Sequence, residues 1–368
     1  MRNRYVLANV LHRPVRTLVS VLAISLEVVL ILMVVGICEG MIVETAERQK
    51  GIGADIFLRP PNSSLILSAG SVRMPVAVLE KLKSIEQIKA VTPVLMQLDT
   101  SAGWVNIYGI DYPSYAVVSE GLTYLSGGAF SGPLTDEIII DDLYAQSKRL
   151  KVGDGQELRG KNFKVCGIVR HGKGARIFIP IETLQALTGW TGQASMALIK
   201  CNNPGQIDSA IAQVQATLPE YLVNSSQEFI SLLTNNSPTG LNAFIKVVVG
   251  IAVIIGSFAI FLSMYTTISE RTREIGILKS LGASKIYIVS LILRESVALS
   301  IFGMVLGVVL MFAGKIIIER FIPTQMVLIT FRWILIASAL VLFSGISGSI
   351  YPAIRAARKD PLEALAYE

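Results

Sequence analysis

Four long apolar segments constrain this chain more than any other feature. They occupy residues 17–38, 247–268, 296–314 and 333–354, and each carries at most one charged residue. An α-helix rises 1.5 Å per residue, so about 20 residues cross the roughly 30 Å hydrocarbon layer of a bilayer. With 16% charged residues the chain is also poorer in charge than ordinary soluble proteins. The sequence therefore predicts a membrane protein with four transmembrane α-helices.

A long polar insertion separates the first apolar segment from the second. Residues 39–242 contain no comparable apolar run, and short β-rich runs alternate there with helical stretches. This pattern predicts an α+β domain, and its two ends, 39–50 and 226–242, are expected to be helical stalks that continue the adjoining spans. The predicted strands are 104–110, 137–140, 163–169, 176–179 and 196–201, and the predicted helices are 76–88, 141–150 and 206–218.

The charge distribution predicts an orientation in the membrane. The insertion holds 17 basic and 19 acidic residues, whereas the rest of the chain holds 16 basic and 8 acidic ones. Basic residues cluster before the first span, between the second and third, and after the fourth, and the positive-inside rule places all three clusters in the cytoplasm. We therefore expect both termini inside and residues 39–242 outside. Since topology accounts for this positive charge, we expect no nucleic-acid partner.

Two motifs suggest chemistry that the rest of the sequence does not support. Residues 155–162 resemble a phosphate-binding loop, but Asn162 stands where a Ser or Thr should bind Mg²⁺, and a strand is predicted next instead of a helix. We interpret this segment as a β-turn. The two histidines, His12 and His171, provide no zinc motif, and we expect His171 to be an exposed loop residue. We therefore predict neither catalytic residues nor a metal site.

The three cysteines leave two alternatives. Cys38 ends the first span, and Cys166 and Cys201 fall in predicted strands without the close spacing of a zinc or redox site. They are interpreted as buried free thiols, with a Cys166–Cys201 bridge as the alternative in an oxidising compartment.

The segment between the second and third spans predicts a short amphipathic helix at 269–282. Thr267 or Ser269 could cap its start, Gly282 is expected to end it, and Ser284 to open the next helix. Gly276 costs about 1 kcal/mol inside a helix, which suggests close approach by another surface. The apolar residues Ile275, Leu278 and Leu281 recur every three residues, and charged residues lie along the edges of the helix. The candidate site consists of Glu270, Arg271, Arg273, Glu274, Ile275, Gly276, Leu278, Lys279 and Leu281.

Three segments together resemble the MacB/FtsX-type permeases of ABC transporters. The segment SERTREIGILKSLGAS at 269–284 is similar to the family's coupling segment. RPVRTL at 13–18 is similar to its entry into the first span, and YPAIRAARKDPLEAL at 351–365 to its C-terminal tail. The order of one span, a large outer domain and three more spans also matches, so the resemblance covers essentially the whole chain. It divides the chain into residues 1–38, the outer domain 39–242, and an FtsX-like part 243–368.

The resemblance implies a non-catalytic permease of the bacterial cytoplasmic membrane. Such permeases work as dimers with cytosolic ATPase subunits, which bind ATP and Mg²⁺, so no cofactor is expected in this chain. The helix at 269–282 would dock on the ATPase and convey its closure to the outer domain, a mode called mechanotransmission. Export or efflux, with a periplasmic adaptor as a further partner, is the leading interpretation. Alternatives are a regulator that activates a cell-wall hydrolase and a membrane-anchored enzyme.

Two further features lie within the spans. Gly303 and Gly307 form a G-x-x-x-G face that allows close packing of helices. Glu27 lies in the middle of the first span, where a charged carboxylate costs about 2.5–3.5 kcal/mol. We expect a neutral glutamate that is hydrogen-bonded at a helix interface. A proton-linked or ligand-binding role, such as contact with a metal-porphyrin cargo, is the alternative.

Overall fold

The computed structural model describes residues 14–63, 72–99, 105–235 and 239–359. The chain forms two compact units. One comprises Met1–Gly40, Gly240–Arg320 and Val327–Glu368, and the other comprises Met41–Thr239 and Phe321–Met326. We call them the membrane unit and the inserted unit. The sequence-based boundaries at 38/39 and 242/243 stay predictions. His12, Arg13 and the tail from Asp360 onward lie outside the described residues.

Four helices in the described part of the chain are long and apolar enough to cross a membrane. They contain the four predicted apolar segments, and each is longer than its segment because polar ends continue the helix. The membrane unit also holds one short helix between the second and third of them. In chain order these are α1 (Pro14–Ile52), α7 (Thr239–Glu270), α8 (Thr272–Ser280), α9 (Lys285–Phe321) and α10 (Phe331–Arg358).

Glycines allow the helices of the membrane unit to pack closely. A Cβ added at Gly303 would come within 2.5 Å of the Ile24 Cβ, and one at Gly307 within 2.6 Å of the Val28 Cβ. These two glycines therefore let α9 lie directly against α1. Gly348 of α10 lies in the same way against the backbone of α7. The buried core between the helices is aliphatic and includes Ile31 and Met311.

The inserted unit is built on a ten-stranded mixed sheet with the order β12-β1-β11-β3-β4-β9-β6-β8-β5, and β7 pairs with β8. The β4–β9 and β6–β8 pairs are parallel, and the other pairs in the sheet are antiparallel. The strands are β1 (Ile56–Arg59), β3 (Ile88–Asp99), β4 (Val105–Ile110), β5 (Tyr124–Gly127), β6 (Glu137–Asp141), β7 (Gly155–Leu158), β8 (Lys161–Val169), β9 (Ile177–Pro180), β11 (Met196–Cys201) and β12 (Leu222–Ser225). A small two-stranded sheet pairs β2 (Met74–Pro75) with β10 (Gln193–Ala194).

Five helices of the inserted unit follow its strands. They are α2 (Tyr112–Ser119), α3 (Asp142–Lys148), α4 (Ile181–Thr188), α5 (Ile207–Thr217) and α6 (Ser226–Asn235). Helix α2 packs on β3 and β11, and α4 packs on β3, β4 and β9. Both begin directly at the ends of strands, with the Asp111 carboxylate capping α2 through the Ser114 N–H. The α+β class predicted for the insertion is confirmed. The predicted helix at 76–88 is wrong, because only Val76–Leu82 is helical, as a 3₁₀ turn, and β3 begins at Ile88.

The segment that resembles a phosphate-binding loop forms a β-hairpin. Strands β7 and β8 pair across a tight turn at Arg159 and Gly160, whose φ angles are 52° and 79°. Two consecutive positive φ values characterise a type I′ hairpin turn. Lys161 pairs with Asp136 at 2.6 Å. The predicted β-turn is therefore confirmed.

The stalk and loop predictions have mixed outcomes. Residues 39–50 are helical, since α1 continues to Ile52. At the other end α6 is helical to Asn235, and residues 236–238 lie outside the described residues. His171 is exposed, as predicted, and its Nδ1 lies 2.9 Å from Asp142 Oδ1.

The three cysteines are free thiols, as the first of the two alternatives expects; Cys38 and Cys201 are buried, whereas Cys166 is only half-buried. Burial raises the pKa of Cys166 to about 12 and that of Cys201 to about 11. The Cys166 Sγ–H also donates to the Ile138 carbonyl oxygen at 3.3 Å.

These two thiols are expected to resist alkylation in the folded protein. A pKa near 12 lowers the thiolate fraction of Cys166 at neutral pH about a thousandfold below that of an ordinary cysteine. Peptide mapping after brief iodoacetamide treatment at pH 8 should find both thiols unmodified, and unfolding in urea should expose both. Rapid labelling of either thiol in the folded chain would contradict this expectation.

Candidate coupling site between the second and third membrane helices

The candidate coupling helix α8 begins at a break in the backbone. Helix α7 continues to Glu270, and Arg271, with φ −105° and ψ 16°, separates it from α8. The predicted caps are wrong, because Thr267 and Ser269 lie inside α7 and the Thr267 hydroxyl donates to the Ser263 carbonyl at 2.6 Å. The helix therefore spans Thr272–Ser280 and not 269–282.

The end of α8 follows the prediction. Gly282 has a φ of 93°, a left-handed conformation that stops the helix, and its N–H donates to the Lys279 carbonyl. The Ser284 hydroxyl then accepts the Tyr287 N–H at 3.2 Å and so caps α9. The short loop directs the chain from α8 into the third span.

The apolar side chains of α8 divide between two faces. Ile275 and Leu278 are half-buried and pack against the core of the membrane unit. Ile277 and Leu281 are 45% and 80% exposed. Three residues turn an α-helix by about 300°, which is about 60° short of a full turn. Side chains spaced three residues apart therefore rotate by about 60° at each step and do not all stay on one face. The sequence pattern placed Ile275, Leu278 and Leu281 on one face and missed Ile277. The spacing of four residues between Ile277 and Leu281 was the signal in the sequence that could have identified this exposed face.

Helix α8 is tied to the C-terminal end of α10 by two lysines. Lys279 Nζ donates to the Ala357 carbonyl at 3.1 Å and also to the Lys359 carbonyl. Lys359 Nζ donates in return to the Thr272 hydroxyl at 3.3 Å. Lysine is favourable at a helix C-terminus because the helix dipole is negative there. These bonds attach α8 to the fourth span.

Gly276 lies on the inner side of this attachment. It is buried and lines the same small gap as Ala356 of α10. The close approach expected from a glycine in mid-helix thus comes from this chain's own fourth span.

A buried ion pair joins the break before α8 to α9. Arg271 Nη1 lies 3.4 Å from both carboxylate oxygens of Glu295. Arg271 was predicted among the charged residues at the edge of the helix. It is buried at the helix break, and its side chain turns inward to a partner 24 residues away. Glu295 did not stand out in the sequence, where it precedes a long apolar run. The pair holds the start of α8 against the third span.

An open groove of about 300 Å³ lies beside these residues. Its walls are mostly aliphatic, and the Arg271–Glu295 pair and Glu274 supply its charges. Glu270 and Arg273 are exposed on the adjoining surface. The lining residues are Thr267, Ile268, Arg271, Glu274, Ile275, Ile277, Leu278, Leu281, Leu291, Ile292 and Glu295. The groove and the exposed Ile277–Leu281 face form a surface that could receive an apolar side chain or helix.

Glu27 lies deep in the membrane unit. Its side chain is 5% exposed, its Oε2 is 3.1 Å from the Ser344 hydroxyl, and a Cβ at Gly256 would overlap the carboxyl. The Ser344 hydroxyl also lies 3.0 Å from the Val341 carbonyl. One hydroxyl proton cannot satisfy both acceptors. The Ser344 hydroxyl donates to Glu27 Oε2 in this arrangement, and the neutral glutamate, which would donate to Ser344 instead, stays a prediction.

Glu27→Gln is therefore expected to leave the stability of the membrane unit nearly unchanged. Glutamine keeps a donor at the same position, whereas Glu27→Leu leaves the Ser344 hydroxyl without this partner and should cost about 1 kcal/mol. Thermal unfolding of the full chain in detergent distinguishes the two variants. Equal destabilisation by Gln and Leu would contradict the interpretation of Glu27 as a neutral hydrogen-bonding group.

A second cluster of charges is buried in the inserted unit. Arg176, which is 5% exposed, donates from Nη1 to Asp141 Oδ2 at 3.1 Å, and from Nη2 to Glu44 and to the Thr324 carbonyl at 2.7 Å. Glu44 belongs to α1, Asp141 ends β6, and Thr324 lies between α9 and α10. One guanidinium thus joins three segments that are more than 30 residues apart in sequence. The sequence assigned Arg176 only to a strand and offered no sign of this role.

Taken together, the fold is that of a multi-pass membrane protein with four spans and an α+β domain inserted between the first and second. Two family models match it. One, described as the MacB-like periplasmic core domain, covers residues 17–217, and the other, the FtsX-like permease C-terminal domain, covers residues 246–361. The chain belongs to the MacB/FtsX-type family of ABC transporter permeases, which are proteins of the inner membrane.

Individual relatives resemble the chain over different lengths. It is 23% identical to the uncharacterized ABC transporter permease YknZ of Bacillus subtilis, over 99% of this chain and 98% of that protein. It is 25% identical to the macrolide export ATP-binding/permease protein MacB of Campylobacter jejuni, over 98% of this chain but only 60% of the relative's length. The crystal structure of the periplasmic region of MacB from Actinobacillus actinomycetemcomitans matches 52% of this chain and 97% of that structure, with 16% identity and a TM-score of 0.39.

Proposed function

We propose that this chain is the transmembrane subunit of an ABC exporter and converts ATP hydrolysis by an ATPase into motion of the inserted domain. The observation that supports this most is the exposed apolar face of α8, Ile277 and Leu281, on a helix anchored to the third and fourth spans. Exposed apolar residues next to a groove are characteristic of protein interaction sites. ATP and Mg²⁺ would be bound by the ATPase.

The proposed orientation follows from the basic residues. Arg271, Arg273 and Lys279 surround α8, and Arg355, Arg358 and Lys359 lie at the end of α10. The positive-inside rule favours the cytoplasm for both regions and for the two termini. The inserted domain then lies outside, where an ATPase-driven movement could act on a cargo.

Helix α1 provides the proposed route for that movement. It is one continuous helix of 39 residues, whose early part packs in the membrane unit and whose last turns contribute Glu44 to the Arg176 cluster. A continuous helix transmits displacement along its axis because its backbone hydrogen bonds resist stretching. Displacement of α8 would thus reach the inserted domain through the spans.

The proposed partners and cargo are inferred by analogy with the relatives. Several relatives are named as export proteins, among them macrolide and pyoverdine export proteins, which favours export over activation of a cell-wall hydrolase. MacB carries ATP-binding and permease functions in one protein, so the ATPase for this chain could be a separate subunit or a fused domain. We propose a homodimer of permease chains, with a periplasmic adaptor as a further partner.

Photo-crosslinking tests whether α8 contacts the ATPase. Benzoylphenylalanine in place of Leu281 should yield an adduct with a polypeptide that contains an ATP-binding cassette, identified by mass spectrometry. The same probe in place of Ile316, which is 68% exposed on the lipid-crossing helix α9, is the matched control and should yield none. An adduct from position 316 but not from 281 would overturn the proposal.

A further inference from the structure

A cavity in the inserted unit lies at the ends of two parallel strands. Strands β4 and β9 are neighbours, with Ile110 opposite Pro180, and both run directly into helices, α2 and α4. The cavity has a volume of about 320 Å³, at the small end of the range for small-molecule sites. The crevice outside the carboxyl ends of parallel strands is where α/β sheets commonly bind ligands. It shares no residue with the coupling site or with the Arg176 cluster.

The walls of this cavity are apolar and rigid. Tyr112 and Phe130 meet edge to face, with ring centroids 6.1 Å apart and an interplanar angle of 79°. Pro113, Pro133 and Pro180 line the remaining wall together with Ile110 and Ile181. Proline has a fixed φ and offers no N–H donor, so this wall keeps its shape and contributes few polar contacts. Such a surface accommodates an aromatic or aliphatic body.

The charges at the cavity are negative. Asp111 and Glu182 both line it, and none of the lining residues is Lys, Arg or His. The Asp111 Oδ2 accepts from Ser114, whereas its Oδ1 and the Glu182 carboxylate have no hydrogen-bond or ion-pair partner among the residues that the structure describes. Each helix N-terminus at the cavity contributes about half a positive charge. Asp111 is half-buried and Glu182 is exposed, and their two carboxylates exceed that sum, so the lining residues carry a net negative charge.

We propose that this cavity binds a small organic amine with an aromatic or aliphatic body. The ammonium group would lie between Asp111 and Glu182, and the body would lie against Tyr112 and Phe130. An ammonium ion is attracted electrostatically both to a carboxylate and to aromatic faces. Burial of the apolar body adds a hydrophobic contribution. A carboxylate ligand of the same shape would be repelled. This inference does not depend on the coupling function of α8.

Titration calorimetry on the full chain in nanodiscs tests the proposal, with tryptamine as the probe and indole-3-propionate as its anionic counterpart. Tryptamine should bind in the micromolar to millimolar range, and indole-3-propionate should bind at least about tenfold more weakly. Glu182→Gln should weaken tryptamine binding about tenfold while it preserves the side-chain shape. Asp111→Ser should do the same, because serine removes the charge but can still cap α2.

Two controls separate local binding from unspecific effects. Phe130→Ala should weaken tryptamine binding by removing an apolar wall, and Glu157→Gln, an exposed acid of strand β7, should leave it unchanged. Leu281→Asp should also leave it unchanged, since that position belongs to the coupling site. No tryptamine binding at millimolar concentration, equal binding of the two probes, or insensitivity to Glu182→Gln and Phe130→Ala in chains with unchanged thermal unfolding would each overturn the proposal.

Discussion

Replacing Leu281 by Asp is expected to abolish ATPase coupling and leave the permease folded. Leu281 is 80% exposed, so the charge stays in water in the isolated chain and should change its stability by less than about 0.5 kcal/mol. In contact with an apolar groove of the ATPase the same carboxylate would be desolvated without a partner, at a cost of about 3 kcal/mol or a hundredfold in affinity. Co-purification and stimulated ATP hydrolysis measure the loss. Ile277→Asp should behave alike.

The matched control is Leu134→Asp, which puts the same charge on an exposed leucine of the inserted domain. It should leave ATPase association unchanged. Ile275 or Leu278 would be the natural targets from the sequence alone, but both pack against the membrane core, so Asp at either position should destabilise the unit and not only uncouple it. If Leu281→Asp and Ile277→Asp both retained full coupling, α8 would not be the docking element.

Arg176→Met is expected to cause a large loss of stability. It removes the ion-pair partner of Asp141 and the donor to the Thr324 carbonyl, whereas Glu44 keeps Arg48 as a partner at 3.8 Å. Breaking a buried ion pair by removing one member typically costs about 3–5 kcal/mol because a charge is left unpaired. Thermal or urea unfolding of the full chain measures this loss. Arg170→Met, an exposed arginine just beyond strand β8, is the control and should cost less than about 0.5 kcal/mol.

The loss caused by Arg176→Met should depend on pH. Burial raises the pKa of Asp141 above its usual value, and the nearby Arg176 guanidinium opposes that rise. A carboxyl with a raised folded-state pKa binds its proton more tightly in the folded protein, so it lowers stability as the pH rises through that pKa. Without Arg176 nothing from that guanidinium opposes the rise in the pKa of Asp141, so this loss of stability with rising pH becomes larger. The stability of the variant should therefore be closer to that of the wild type at acidic pH than at neutral pH.

A double variant provides the further check. Arg176→Met combined with Asp141→Asn removes both charges and keeps an acceptor to cap α3, where the Asp141 Oδ1 now accepts the Tyr144 N–H at 2.6 Å. It should regain part of the lost stability, since replacing both members of a buried pair is milder than removing one. A double variant no more stable than Arg176→Met would show that packing and not the unpaired charge dominates the loss.

The sequence by itself determined the architecture of this protein. Four long apolar runs leave hardly any alternative to four spanning helices, because an unpaired backbone amide in lipid is too costly. Alternating short runs and glycine-containing turns defined most strands of the inserted domain, and Gly160 and Gly282 ended their elements where their positive φ values allow. These signals are local, since each depends on neighbours within a few residues. The family resemblance rests on the same kind of short segments.

The tertiary structure alone decided which side chains meet. The outward face of α8 depends on where the chain breaks at Arg271 and on the attachment of Lys279 to the end of α10, 78 residues further on. Arg176 contacts Glu44, which is 132 residues away in sequence, and Glu27 contacts Ser344, which is 317 residues away. The cavity beside Tyr112 exists because β4 and β9 pair in parallel. Such encounters leave no periodic trace in a single sequence, because the free energy of a contact depends on proximity in space and not on spacing along the chain.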